Sequence, residues 1–174
     1  MDGIETQKDE KRAFNWFLKS EQNKYSMVNN IKIDEDERKV FEKDLMSAIS
    51  GDVTSQNNLG YSYYHGIGTL KDDEKAFDWY LRSANNDYDF AQHNLGYFYE
   101  HGIGTDKNEM KAFEWYLKSA KNGNASAQNS LGSCYKYGIG TEMNVKEAAI
   151  WYKKDSDNGN KEAKEKLSSM NLSN

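Results

Sequence analysis

The chain contains three histidines, and two of them recur at the same place in a repeated pattern. His65 and His101 each stand directly before the sequence Gly-Ile-Gly-Thr, 36 residues apart, and His93 is the third. A zinc site needs several ligand atoms at about 2.1 Å from one ion. Equivalent positions in stacked helices lie about 8–10 Å apart, and the next copy of the pattern has Tyr137 here. The spacing therefore predicts no metal site and no cofactor.

The glycine-rich turns also lack the surroundings of a ligand loop. A phosphate-binding loop follows a strand and ends in Gly-Lys-Ser/Thr, whereas these turns follow helical patterns and end in Gly-Thr. The segment at 155–159 resembles part of a calcium loop, but placing Gly159 at the required sixth position puts Lys154 in the first ligand position. Both segments are predicted to be structural turns.

The sequence offers no good catalytic nucleophile. Cys134 shares a repeat position with Ser62 and Phe98, so this position accepts unrelated side chains. It is the single cysteine of the chain, which is typical of a reducing compartment. The N-terminal residues contain no apolar leader. We therefore predict a cytoplasmic protein that is not an enzyme.

These residues belong to a segment that occurs three times with a period of 36 residues. Self-similarity of this kind indicates a stack of repeats, each packed on its neighbours. The copies predict repeats at 55–90, 91–126 and 127–162, followed by a C-terminal capping helix and tail at 163–174. Residues 12–20 match residues 75–83, and Val40, Phe41, Leu45 and Ala48 align with Ala76, Phe77, Leu81 and Ala84. We assign 11–54 to degenerate N-terminal helices that cap the stack and 1–10 to a flexible tail.

Each copy is predicted to contain two helices joined by the Gly-Ile-Gly-Thr turn. In the second copy they run from about residue 92 to 101 and from about residue 109 to 121. Gly102 suits a left-handed C-cap with Ile103 as its apolar contact, and Thr105 or Asp106 is the expected cap of the next helix. Glycine recurs within the first helix at positions 60, 96 and 132, which predicts a close approach of two helices. The expected core includes Ala112, Phe113, Tyr116 and Ala120, with Trp79, Trp115 and Trp151 between repeats.

Composition narrows the class of partner. The formal net charge of −5 opposes a nucleic-acid surface. No apolar run approaches the length of about 18 residues that a membrane span needs. Only 37% of residues are hydrophobic while 13% are aromatic. This combination suits a thin repeat core filled by large rings.

The repeated pattern Ala-Gln-x-x-Leu-Gly-x-x-Tyr-x-x-Gly-x-Gly, followed by Lys-Ala-x-x-Trp-Tyr, resembles the Sel1-like repeat, a relative of the tetratricopeptide repeat. The resemblance covers about residues 56–170 and, in degenerate form, residues 12–50. It implies an all-α, right-handed α-solenoid of stacked helix-turn-helix repeats that acts as a scaffold or adaptor in signalling or quality-control complexes. Proteins of this kind bind a protein or peptide partner.

Two other functions follow from the same resemblance. The chain can be the regulatory repeat tail of a larger, kinase-like multidomain protein. A Sel1-like hydrolase is the other alternative, because some cysteine-rich relatives are reported to handle β-lactams. Those relatives carry a disulfide pair in each repeat, whereas this chain has one cysteine in total. The scaffold is therefore the favoured prediction.

The resemblance also predicts where a partner binds. In Sel1-like and tetratricopeptide folds, variable positions of the first helix line the concave groove, and exposed aromatics are enriched in binding surfaces. The predicted partner-binding residues are Asn57, Tyr61, Tyr64 and His65 in the first copy, His93, Tyr97, Glu100 and His101 in the second, and Asn129, Ser133, Lys136 and Tyr137 in the third. The alternative is a tolerant solvent-exposed face with no partner.

Overall fold

The computed structural model describes residues 12, 15–17, 19–20 and 33–170, and every regular element in that part of the chain is α-helix. The predicted tail at 1–10 and the segment at 21–32 lie outside the described residues. The helices along 33–170 are α1 (Glu35–Ile49), α2 (Val53–His65), α3 (Asp73–Asn85), α4 (Asp89–His101), α5 (Glu109–Lys121), α6 (Ala125–Tyr137), α7 (Val145–Asp157) and α8 (Lys161–Ser168). They belong to two compact units, Met1–Ser83 and Ala84–Asn174.

In the first unit, α1 packs against α2 through one side of the helix. Its buried residues are Phe41, Leu45 and Ala48. The Phe41 ring meets the Tyr63 ring edge-on at a centroid distance of 5.3 Å. Val40 aligns in sequence with the fully buried Ala76, yet it is 60% exposed. Val40 therefore shares the repeat register of Ala76 but not its burial, because α1 turns its Phe41 side toward α2.

The glycine within each first helix allows a tyrosine of the second helix to lie against the backbone. A Cβ added to Gly96 would lie 2.6 Å from a ring carbon of Tyr116, and one added to Gly132 would lie 2.7 Å from a ring carbon of Tyr152. Gly60 is equally close to a tyrosine ring in the first unit. Carbon atoms do not approach so closely without a shift, so the predicted close approach is confirmed.

The turn after each first helix has the geometry that its glycines predict. Gly102 ends α4 in the left-handed conformation with φ 67°. The N–H of Ile103 donates to the carbonyl of Phe98 at 3.0 Å, which is the closing bond of a Schellman C-cap. Gly66 and Gly138 end α2 and α6 with φ 71° and 72°. The C-cap prediction is confirmed.

α5 begins at Glu109 as predicted, but its N-cap residue and the start of α4 differ from the prediction. Asn108, rather than Thr105 or Asp106, caps α5, and its side chain accepts a hydrogen bond of 3.0 Å from the third residue of the helix. The N–H of Asn108 also donates to the carbonyl of Tyr99 at 2.8 Å, so the loop continues past Thr105. α4 begins three residues earlier than predicted. Its cap residue, Tyr88, makes no side-chain capping bond, so the sequence carries no start signal there.

The tryptophans of the second helices are not equally buried. Trp79 and Trp151 are 6% and 7% exposed and belong to the core, as predicted. Trp115 is only half-buried, and the Nζ atom of Lys118 lies 5.4 Å from its ring centroid. Its role as an inter-repeat core residue is therefore weaker than predicted. Ala112, Tyr116 and Ala120 are buried, and Phe113 is half-buried.

Candidate partner-binding face

The predicted partner-binding residues on α2, α4 and α6 are called here the first-helix face, and each unit is described separately. On α2, the last turn carries an aromatic cluster. The ring centroids of Tyr61 and His65 are 4.3 Å apart, and those of Tyr64 and His65 are 4.7 Å apart. Tyr61 is 51% exposed and His65 is also exposed. The Nζ atom of Lys71 lies 5.3 Å from the Tyr64 ring centroid. Asn57 is half-buried one turn earlier.

On α4, in the second unit, a tyrosine and a histidine form a similar exposed pair. The ring centroids of Tyr97 and His101 are 4.1 Å apart and their planes are tilted by 30°. His101 Nδ1 lies 2.9 Å from the carbonyl oxygen of Tyr97. Because a carbonyl can only accept, Nδ1 carries the proton in this contact. The pair is therefore held at a defined place in the last turn of α4.

His93 and Glu100 lie deeper on the same helix and are engaged with neighbouring helices. His93 is half-buried, and its Nε2 lies 3.3 Å from Ser130 Oγ. Burial lowers the pKa of His93, while the nearby Glu100 carboxylate acts in the opposite direction. Glu100 accepts a hydrogen bond of 2.7 Å from the Tyr116 hydroxyl. Burial and this bond raise the pKa of Tyr116 well above its ordinary value.

On α6, two of the four predicted residues also make hydrogen bonds to other helices. Asn129 donates to Asp155 at 2.9 Å and accepts from Lys166 at 2.7 Å. Ser133 Oγ is 2.9 Å from the Tyr152 hydroxyl. The other two predicted residues, Lys136 and Tyr137, form a cation–π contact in which Nζ lies 5.0 Å from the ring centroid. Tyr137 is 62% exposed.

The first-helix face thus has two layers. The exposed layer consists of Tyr61, His65, Tyr97, His101 and Tyr137, whereas the half-buried residues with hydrogen bonds to other helices are His93, Glu100, Asn129 and Ser133. Sequence reasoning missed Phe90, which is 56% exposed. It precedes Tyr97 by seven residues on α4 and so shares its side of the helix. Its repeat position holds Thr54 and Ser126 elsewhere, a variability that could have identified it.

The candidate metal-binding and nucleophilic residues can be placed within the described part of the chain. No group of three or more histidine, cysteine or acidic side chains among them is arranged to hold a metal ion. Cys134 is buried, and burial together with the nearby carboxylates of Glu100 and Glu109 raises its pKa to about 12. Its thiol is therefore uncharged at neutral pH and is a poor nucleophile. Ser133 and Lys136 have Ser-x-x-Lys spacing, but Ser133 Oγ contacts the Tyr152 hydroxyl and Lys136 Nζ lies against the Tyr137 ring. No helix in the described part of the chain has the length and apolarity needed to span a bilayer.

Comparisons with known proteins identify the repeat. The family model of the Sel1 repeat matches residues 1–24, 53–88, 89–124 and 125–160. A search of curated proteins returned no match. A solved Sel1 repeat protein from Oxalobacter formigenes is 35% identical, with a TM-score of 0.69 over 74% of this chain and 96% of that one.

Two further structures have the same architecture. A protective antigen present in uropathogenic Escherichia coli strains, described as displaying an SLR fold, is 27% identical with a TM-score of 0.72 over 75% of this chain. The chain spans only 28% of the length of that antigen. The cysteine-rich protein B of Helicobacter pylori is 23% identical, with a TM-score of 0.60 over 75% of this chain and 96% of that one; this likeness concerns the fold alone. The predicted fold class, an all-α solenoid of helix-turn-helix repeats, is confirmed.

Proposed function

Because the chain belongs to the Sel1 repeat family, whose model matches residues 53–160 without interruption, we propose that it is a protein-interaction scaffold. Each unit would hold an extended segment of a partner protein on its first-helix face. The proposal treats the chain as a non-catalytic adaptor. Its single, buried cysteine fits a reducing, cytoplasmic setting.

The observation that carries this proposal is the exposure of aromatic side chains at the last turn of each first helix. Tyr61, Tyr97 and Tyr137 are 51%, 39% and 62% exposed, while Tyr63 and Tyr99, two residues after Tyr61 and Tyr97, are buried. Tyrosine supplies broad contact area with only two side-chain torsions to immobilise. Exposed aromatics at recurring positions favour a binding surface over a solvent face, because apolar exposure has no structural benefit there.

The half-buried layer supports the same proposal in a different way. Hydrogen bonds from Tyr116 to Glu100 and from Asn129 to Asp155 fix side chains beneath the exposed rings. A face whose lower layer is already ordered loses less conformational entropy when a ligand binds. We expect the exposed rings to be the anchors and the half-buried residues to support them.

A selection with a phage-displayed library of random 12-residue peptides tests the proposal. The full chain is the bait, and enriched peptides are titrated by calorimetry against two double variants. Tyr61→Ala with Tyr97→Ala is expected to weaken binding by about 30-fold or more, since anchor truncation typically costs about 2 kcal/mol or more. Met110→Ala with Ile150→Ala removes side chains that are 68% and 48% exposed on second helices. This matched control is expected to bind as the parent does.

Each result has a defined meaning for the proposal. Peptides that bind the tyrosine variant as tightly as the parent, but lose affinity for the control variant, would move the binding site to the second helices. Circular dichroism of both variants separates lost binding from lost structure. A selection that enriches no peptide over a bait-free support contradicts the proposed peptide-binding function.

A further inference from the structure

One carboxylate on the first-helix face lacks an ion-pair partner within the described part of the chain. Glu100 is half-buried on α4, and Tyr116 donates to its Oε2 atom. The charge of Glu100 acts on Lys107, but the Nζ atom of Lys107 pairs directly with Glu109 at 2.7 Å. Glu100 is thus positioned by a tyrosine hydroxyl and makes no direct ion pair among the described residues.

The first helices of the other two repeats show which groups occupy the position of Glu100 and its surroundings. The position of Glu100 is taken by Lys136 on α6, and its Nζ lies 5.0 Å from the Tyr137 ring. On α2, the corresponding residue is Tyr64, and Lys71 places its Nζ 5.3 Å from that ring. In both cases an ammonium group from the chain itself lies against an aromatic ring. On α4, the ammonium of Lys111 lies 5.0 Å from the ring centroid of the buried Tyr99, while the exposed rings of Tyr97 and His101 are accompanied by a carboxylate at the position where α6 carries the lysine.

The surroundings of Glu100 favour a positive charge. Tyr97 and Glu100 are three residues apart on α4 and therefore neighbours on its surface. The faces of aromatic rings attract cations, and the C-terminal end of a helix carries partial negative charge. The chain as a whole has a formal charge of −5, which steers cationic groups toward it.

We infer that Glu100, Tyr97 and His101 form a subsite for a basic side chain, arginine or lysine, of the bound partner segment. The inference rests on the proposed peptide-binding function and adds the chemistry of one partner residue. The carboxylate of Glu100 supplies the charge, and the Tyr97–His101 pair supplies the flat surface beside it. Tyr116 acts as a positioning residue, because its hydroxyl holds one oxygen of Glu100.

The test uses the same random 12-residue peptide library, selected in parallel on the full chain and on its Glu100→Gln variant. The amide of glutamine keeps an acceptor for the Tyr116 hydroxyl but removes the charge. Peptides from the parent are expected to concentrate arginine or lysine at one position, and those from the variant are not. For the most enriched peptide, Glu100→Gln should weaken binding on the order of tenfold, in line with the loss of a charge-assisted hydrogen bond.

A thermodynamic cycle then ties the effect to the pair. Replacing the enriched basic residue of the peptide by glutamine should cost a similar factor in the parent and little in the Glu100→Gln variant. Glu114→Gln, which neutralises an exposed carboxylate on α5, is the control for the change in net charge and should leave the affinity unchanged. Tyr116→Phe should weaken only peptides that contain the basic residue.

The outcomes separate this inference from the proposed function. Peptides that bind through the tyrosines, yet show no basic enrichment and the same affinity for Glu100→Gln, overturn the subsite and leave the scaffold function standing. An equal loss for Glu100→Gln and Glu114→Gln would mean a nonspecific charge effect, which also overturns it. Enrichment of no peptide contradicts both proposals.

Discussion

The repeats at 89–124 and 125–160 lie in one unit and have helices of equal length. Each has an aspartate that accepts a hydrogen bond from an asparagine side chain, but this aspartate lies on the first helix of one repeat and on the second helix of the other. In the first of them, Asn124 donates to the side chain of Asp89 at 3.2 Å, and Ser119 Oγ donates to the Asp89 carbonyl at 2.7 Å. In the second, Asn160 donates to Asp155 at 2.8 Å. Asp155 occupies the repeat position of Ser119, and an alanine replaces Asp89.

The comparison shows that a repeat can exchange its polar partners while its backbone packing stays the same. The asparagine amide is kept at 124 and 160, and its carboxylate moves from a first helix to a second helix. Placing the carboxylate on the second helix has a cost for the stability of the fold. Asp155 is completely buried, and its Oδ1 atom has no hydrogen-bond partner in the described structure. Such an atom carries a desolvation penalty of about 1–3 kcal/mol.

The largest expected difference between the two repeats concerns their tryptophans. Trp151→Ala should lower the free energy of unfolding by about 3–5 kcal/mol, because it empties a buried site. Trp115→Ala should cost clearly less, since Trp115 is only half-buried. Chemical denaturation followed by circular dichroism measures both. Equal losses would show that both rings are core residues to the same degree.

Two substitutions can move the carboxylate of the repeat at 125–160 from its second helix back to its first helix. Asp155→Ser removes the acceptor of Asn129 and Asn160 and should destabilise the chain by about 1–2 kcal/mol after the relief of the buried oxygen. Adding Ala125→Asp recreates the arrangement of the preceding repeat and should recover most of the loss. The double variant and both single variants are compared by denaturation midpoint. A stabilised Asp155→Ser variant would mean that the buried oxygen dominates.

The turns that precede the two repeats differ in one strained residue. Asp87 has φ 62°, whereas the equivalent Gly123 has φ 98°. A left-handed residue with a Cβ costs about 1–2 kcal/mol, and the exposed ion pair of Asp87 with Lys118 at 2.7 Å offsets under about 1 kcal/mol. Asp87→Gly should therefore raise the thermal midpoint slightly. A lowered midpoint, with Lys118→Ala alone equally harmful, would show that the ion pair outweighs the strain.

The smallest expected effect is a pH dependence confined to one repeat. The lowered pKa of His93 means that the folded state prefers the neutral ring. The unfolded chain then binds more protons, so stability is lost as the pH falls through about 6.5, the ordinary histidine value. His93→Asn, which installs the residue found at positions 57 and 129, should flatten stability between pH 7.5 and 5.5, relative to the control His65→Asn. An unchanged slope would exclude His93 as its source.

Much of the fold could be predicted from the sequence, because the decisive interactions are local or repeated. The left-handed cap at Gly102 and its bond from Ile103 to Phe98 involve neighbours in the chain. The contact of Gly96 with Tyr116 recurs between Gly132 and Tyr152 at nearly the same distance. The N-cap of α5 was predicted at Thr105 or Asp106 instead of Asn108. The sequence does not show that the carbonyl of Tyr99, in the preceding helix, accepts a hydrogen bond from the N–H of Asn108.

The sequence by itself determined the repeat period, the helix pairs and the family, since glycine torsions and aromatic spacing act within one repeat. Only the tertiary structure decided which residues of the first-helix face are exposed to solvent and which are engaged with other helices. His93 and Tyr97 are one turn apart on α4, yet Ser130, 37 residues from His93, draws the histidine into an inter-helix contact. Glu100 gains its tyrosine partner from 16 residues away. Burial depends on which residues of other helices contact a side chain, and no pattern within one helix contains that information.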